Sequence, residues 1–219
     1  MKIGVIGAGF VGLTTAVGFA HKNFNVNCYE INKKKRDFLK KSKIPFHEPY
    51  LQNYLVKYNN KKINFSENFK SFIELNLDAI FICVGTPSNK DGSCNIDNLE
   101  KLIKDLSNIN FRKSTCLIVK STIPPGTSDK LNNYLKKNRF LSLVFYPEFL
   151  REGFAWNDFL YPDRVVVGVE QKYSKKYNKI FNAFSTPLYF TNFKEAELIK
   201  YLSNSLLATL ISYSNEMSM

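Results

Sequence analysis

The sequence predicts an α/β fold built on a mostly parallel sheet, and three observations predict it. Strand-like apolar runs and helical patterns alternate along all 219 residues, the order that places helices on both faces of a sheet. The apolar run at 3–6 feeds into Gly7-Ala8-Gly9-Phe10-Val11-Gly12, and a helical pattern with Leu13, Val17 and Phe19 follows. A second strand pattern, Val26-Asn27-Cys28-Tyr29, ends in Glu30, eighteen residues after Gly12. Glycines so spaced allow a tight turn (Gly7), close approach of a pyrophosphate to the backbone (Gly9) and packing of helix on strand (Gly12). The helix that starts there turns free N–H groups and its positive dipole end toward phosphate, and the acid suits a ribose. The expected architecture is Rossmann-like and doubly wound, ending in a long C-terminal helix that is cut short.

The elements follow in order. Asn32 can cap a helix carrying Ile31, Phe38 and Leu39. The stretch 43–49, with Pro45 and Pro49, breaks it, and a short helix is expected over 50–58. Residues 63–65 form a short third strand, and 78–84 form the clearest buried strand, ending in Gly85-Thr86-Pro87. A polar loop (88–97) leads to a helix at 99–106. Strand 115–120 then ends in Ser121-Thr122-Ile123-Pro124-Pro125-Gly126-Thr127, before a helix over 128–137. Strand 141–145 runs into Tyr146-Pro147-Glu148, the β-branched 164–169 is another strand, and 188–191 a last short one. From 192 onward Ile199, Leu202, Leu206, Leu210, Tyr213 and Met217 recur at three- and four-residue steps, a helical stripe without a stop signal. Gly7, Glu30, Gly85-Thr86-Pro87, Ser121-Thr122 and Glu148 all fall at the carboxyl ends of strands, the edge where open α/β sheets bind ligands.

Composition narrows the partners. With 31 Lys+Arg against 19 Asp+Glu the net charge is +12. The lysines are scattered in short groups (33–35, 40–43, 61–62, Lys175-Lys176), which suits solvated faces better than a nucleic-acid footprint. No apolar run approaches the ~20 residues that span a bilayer, and the first strand leaves no room for a signal peptide. Cys28, Cys83 and Cys116 are expected in central strands and Cys94 in a loop. There is no C-x-x-C, and two histidines offer no zinc site, so no metal, no disulfide and a reducing, cytoplasmic setting are expected.

The motifs together resemble those of the UDP-glucose/GDP-mannose dehydrogenase family, over essentially the whole chain. They are Gly-Ala-Gly-Phe-Val-Gly (7–12), Pro-Phe-His-Glu-Pro (45–49), Val-Gly-Thr-Pro (84–87) and Lys-Ser-Thr-Ile-Pro-Pro-Gly-Thr (120–127). Pro-Glu-Phe-Leu-Arg-Glu-Gly (147–153), Tyr-Pro-Asp-Arg (161–164) and Glu-Leu-Ile-Lys-Tyr-Leu-Ser-Asn (197–204) continue the set. The resemblance is to the N-terminal portion, most like UDP-glucose 6-dehydrogenases. Such enzymes use NAD⁺ twice to oxidise the C6 hydroxymethyl of a nucleotide sugar to a carboxylate, in polysaccharide biosynthesis. It implies that residues 1–191 are the NAD-binding domain and 192–219 the start of a central dimerisation helix, with the nucleotide-sugar domain absent.

The resemblance also implies roles. Thr122 and Glu148 would hold and deprotonate a catalytic water or hydroxyl, and Lys200 with Asn204, four residues on, would stabilise an oxyanion. Phe149, Leu150, Arg151 and Glu152 would line the sugar-nucleotide site, with Glu152 also near the nicotinamide. Cofactor contacts would come from Gly7, Gly9, Phe10, Val11, Gly12, Glu30, Lys35, Gly85, Thr86, Pro87, Ser121, Thr122 and Glu152. Three departures stand out: Glu30 where the family usually has Asp, Leu210 where it often has a basic residue, and no match to its Gly-Gly-x-Cys nucleophile segment. Two other readings remain open. One is a relative of the β-hydroxyacid dehydrogenases with a single hydride transfer, the other a truncated module that binds NAD or a partner chain without turnover. The apolar helix stripe favours a partner, a homodimer through that helix.

Overall fold

The computed structural model describes residues 1–170, 178 and 180–219, so the Lys175-Lys176 pair lies outside it. Among these residues, eight strands form one sheet: β1 (Lys2–Ile6), β2 (Asn25–Tyr29), β3 (Ile63–Phe65), β4 (Ala79–Ile82), β5 (Thr115–Val119), β6 (Leu141–Phe145), β7 (Val165–Val169) and β8 (Leu188–Thr191). Their order is β3-β2-β1-β4-β5-β6-β7-β8. Every pair is parallel except β6 with β7. β1 pairs with both β2 and β4, so the winding reverses there and a crevice opens beyond the carboxyl ends.

Helices cover both faces. On one, α1 (Phe10–His21), α3 (Leu51–Tyr58) and α7 (Ala155–Leu160) bury Leu13, Phe19, Leu55, Trp156 and Phe159 against the alternate side chains Val5, Phe81 and Ile118. On the other, α5 (Asp97–Ser107), α6 (Thr127–Leu135) and the start of α8 (Phe193–Met217) bury Leu99, Ile103, Leu131 and Phe193 against Ile80, Leu117 and Leu143. Strands buried on both faces read as continuous apolar runs, as β4 and β6 do.

Several expectations need correction. α2 (Lys33–Lys40) is capped by Asn32, whose side chain accepts from Lys35 N. Ile31 precedes that cap, is 82% exposed and belongs to no apolar face, and Phe38 is exposed too. Two short helices escaped the sequence reading, α7 and α4 (Phe69–Ile73). The latter carries an Asn68–Ser71 capping box. Cys83 follows β4 rather than lying within it and is half-buried.

α8 changes character along its length. Phe193, Ala196, Glu197 and Lys200 are buried, whereas Leu202, Leu206, Leu207, Leu210 and Ile211 are exposed. Among the described residues, no helix is long and apolar enough to cross a membrane.

Candidate functional site

The glycine-rich turn closes tightly. Gly7 sits at φ +87° and donates its N–H to Tyr29 O at 2.9 Å, and a Cβ on Gly12 would lie 1.8 Å from Gly7 O. Side chains are excluded at both positions, so β1 and α1 meet with backbone alone at the surface. Gly9 is the N-cap of α1 and offers no side-chain cap, nor is there an acid in the first turn. The first amides of a helix have no partner within it, and here Gly9, Phe10 and Val11 line the crevice.

Glu30 stands at the end of β2 and is 6% exposed. Its Oε2 accepts from Ala8 N at 3.0 Å and faces Lys35 Nζ at 3.2 Å, while its Oε1 accepts from Asn32 N at 3.0 Å. Arg36 donates from its guanidinium to Glu30 O at 2.6 Å. A carboxylate offers about four acceptor positions. Three are in use, which leaves Oε1 room for one further donor, as a ribose hydroxyl would supply.

The crevice runs from Glu30 past the turn to Glu148 and encloses about 920 Å³. At its far end Thr86 Oγ1 donates to Thr122 O at 2.8 Å and Ser121 Oγ to Val84 O at 2.6 Å, tying the β4 and β5 loops together. Glu148 accepts from Leu150 N at 2.7 Å through Oε2 and pairs through Oε1 with Lys200 Nζ at 3.0 Å. Lys200, 4% exposed, reaches this point because α8 packs its first turns on β6 and β7.

The predicted residues divide into two groups. Gly7, Gly9, Phe10, Val11, Glu30, Lys35, Gly85, Thr86, Ser121, Thr122 and Glu148 line this one crevice. Gly12 packs behind it, and Phe149, Leu150 and Lys200 adjoin it through Glu148. Pro87, Glu152 and Asn204 are exposed and outside its lining, and Arg151, also exposed, forks onto Asp158 at 2.7 and 3.1 Å. The sequence reading gave no role to the wall that α5 contributes through Asn98, Lys101 and Asp105, nor to Lys120. The signal for Lys120 was present: it is a lysine at the end of an apolar strand, on the side of Cys116 and Ile118.

Two further acids of the quoted motifs brace the site. Glu48, 3% exposed, accepts from Gly153 N at 2.9 Å and Ala155 N at 2.8 Å, fixing the turn after Glu148 at the start of α7. Glu197, fully buried, accepts from Gly126 N and Ser128 N, each at 2.6 Å, at the start of α6. Each carboxylate meets the positive end of a helix.

Fold and crevice define a dinucleotide-binding domain with a carboxylate–ammonium pair at one end. Residues 1–185 match the UDP-glucose/GDP-mannose dehydrogenase family, NAD binding domain, and the chain belongs to that family. It is 37% identical to the UDP-glucose 6-dehydrogenase of Rickettsia bellii over 224 residues, all of this chain and 51% of that protein. It is 36% identical to the UDP-glucose 6-dehydrogenase YwqF of Bacillus subtilis, covering 50% of it. A solved UDP-glucose dehydrogenase from Pyrobaculum islandicum superposes with TM-score 0.91 at 32% identity, over 99% of this chain and 52% of that one. The chain thus spans about half the length of the curated relatives it matches. The uncapped α1 amides, the excluded Cβ positions and the free lone pair of Glu30 fit an NAD molecule laid along the crevice.

Proposed function

We propose that this chain is the NAD-binding and part-catalytic portion of a nucleotide-sugar 6-dehydrogenase that acts on UDP-glucose. The observation that carries this reading is the Glu148–Lys200 pair beside Thr122, at the end of the NAD crevice away from Glu30. NAD supplies the hydride acceptor. Glu30 would take a ribose hydroxyl, the 7–12 turn the diphosphate, and the Gly85, Thr86 and Ser121-Thr122 loops the nicotinamide end.

Glu148 is acceptor-only as an ion, held by Lys200 and Leu150 N, and in that state can take a proton from a water or hydroxyl held by Thr122. Lys200, as that proton moves, is placed to stabilise charge on oxygen. Phe149 and Leu150 adjoin this point, whereas Arg151, Glu152 and Asn204 are exposed and outside the crevice lining. The β-hydroxyacid alternative has no use for an acid at 148, since a single hydride transfer does not require it. Residues 1–191 would form the NAD domain, and the exposed Leu202–Leu210 stripe of 192–219 a homodimer interface. Four cysteines that form no disulfide agree with a cytoplasmic setting, and oxidised nucleotide sugars feed polysaccharide synthesis.

In a protein that unites this chain with a nucleotide-sugar domain, Glu148→Gln is expected to lower kcat by about 10²- to 10⁴-fold with little change in substrate affinity. Near-normal kcat would remove Glu148 from the chemistry and the reading with it.

A further inference from the structure

Lys120 is 2% exposed and lines the crevice with Thr122 and Glu148. β4, β5 and β6 pair as Ile82↔Val119 and Val119↔Phe145. One step further on, Cys83, Lys120 and Tyr146 make a row on the face that α1 covers, with Glu148 two residues beyond Tyr146. The ammonium lies 3.8 Å from the centroid of the Tyr146 ring. Among the described residues it makes no ion pair and no side-chain hydrogen bond, since the nearby carboxylate is taken by Lys200. It is a buried cation without an ion-pair partner among the described residues, at the end of the crevice opposite Glu30, and the nearby Glu148 carboxylate offsets its charge only in part.

We propose that Lys120 sets the preference of this crevice between the two redox states of the nicotinamide cofactor. Its ammonium disfavours the cationic oxidised ring and favours the neutral reduced one. The inference rests on the NAD-binding reading and on the nicotinamide lying at the Thr122–Glu148 end. NAD⁺ and NADH carry the same diphosphate and differ by one positive charge on the ring, so a cation at that end separates them. Screening is weak around an ammonium that is 2% exposed.

The preference depends on pH. Burial, together with Lys200, lowers the Lys120 pKa to about 8, with Cys83 and Glu148 opposing. Burial pushes the Cys83 thiol up to about 12 and raises Tyr146 as well, so both stay neutral, and α1 contributes only the Thr15 hydroxyl beside Cys83. Below the pKa the ammonium is present and NADH is favoured; above it the preference fades. By linkage, NADH binding takes up more protons than NAD⁺ binding near that pKa.

Both dinucleotides would be titrated against the purified chain at about pH 6.5 and about pH 9.5, on either side of that pKa, NADH by its fluorescence and NAD⁺ by competition. The ratio of Kd for NAD⁺ to Kd for NADH is expected to fall roughly tenfold from the acid to the alkaline condition. Lys120→Met should hold the low ratio at both pH values and Lys120→Arg the high one. A ratio that does not move with pH in the unmodified chain overturns the inference, and so does pH dependence that survives Lys120→Met. If neither dinucleotide binds, the NAD-binding reading fails with it. If Lys120→Met does not fold, Lys120→Arg and calorimetric proton uptake by the unmodified chain decide, equal uptake with both dinucleotides counting against the inference.

Discussion

Glu30 holds two positions at once. It faces the cofactor crevice, and its carboxylate also braces the turn through Ala8 N and the start of α2 through Asn32 N. One carboxylate spans both amides, one through each oxygen. Glu30→Ala is expected to loosen NAD⁺ by about 1–2 kcal/mol through loss of a charge-assisted bond to ribose. It should also destabilise the apo chain, because two amides lose their acceptor. Titration with NAD⁺ and thermal melting separate the two effects, and a variant that melts like the parent and binds NAD⁺ equally well would contradict both. A 2′-phosphate would bring negative charge against Glu30, so the unmodified chain is expected to prefer NAD⁺ to NADP⁺. Lys35, at 3.2 Å from the carboxylate, limits the margin.

At the scale of elements, the short loops and helices after the strands place the chemistry, and buried acids hold them. Glu48, on the segment between α2 and α3, reaches more than 100 residues along the chain to the start of α7. α7 has only six residues, too few for independent stability. Its position, and that of the 149–154 turn, depends on this carboxylate and on Trp156 and Phe159 in the core. Glu48→Ala leaves two amides without an acceptor and is expected to destabilise the fold by about 2–4 kcal/mol. Glu48→Gln, which keeps one acceptor oxygen, should lose less. Denaturant midpoints give the order, and equal losses would show that the bonds to Gly153 and Ala155 are not the cause. Glu197 does the same for α6, so the apparent Glu197–Lys200 motif of α8 divides into one brace and one partner of Glu148.

Across the whole molecule, the crevice gathers residues from β1, β2, α1, α4 and α5 and from the segments that follow β4, β5 and β6, yet the thiols of the chain suit no covalent role. Oxidation to the acid proceeds through an aldehyde that a thiolate must trap. Cys28 and Cys116 are buried, and the Cys83 thiol is held protonated by burial. Cys94 rests 3.9 Å from the carbonyls of Thr86 and Thr122, behind the loop rather than facing the crevice. Incubated with NAD⁺ and UDP-glucose, the chain is therefore expected to yield no sustained release of two NADH per sugar. Turnover of that stoichiometry, persisting in Cys94→Ser, would show that a complete site exists within these residues.

The sequence by itself determined the α/β class, the strand boundaries to within two residues, the crevice edge and the cofactor turn. Those features depend on local rules: apolar runs at strand length, and glycines where a Cβ cannot fit, as at Gly7 and Gly12. Short elements such as α4 and α7 were missed because five or six residues carry too little periodicity to be read. Tertiary structure alone decided that Glu148 pairs with Lys200 across 52 residues, that Glu48 and Glu197 brace helices, and that Lys120 is buried with no ion pair among the described residues. The formula of an acid or a lysine is the same in each setting. Its function depends on which charges and amides the fold brings within about 3 Å of it, and on how far water is excluded.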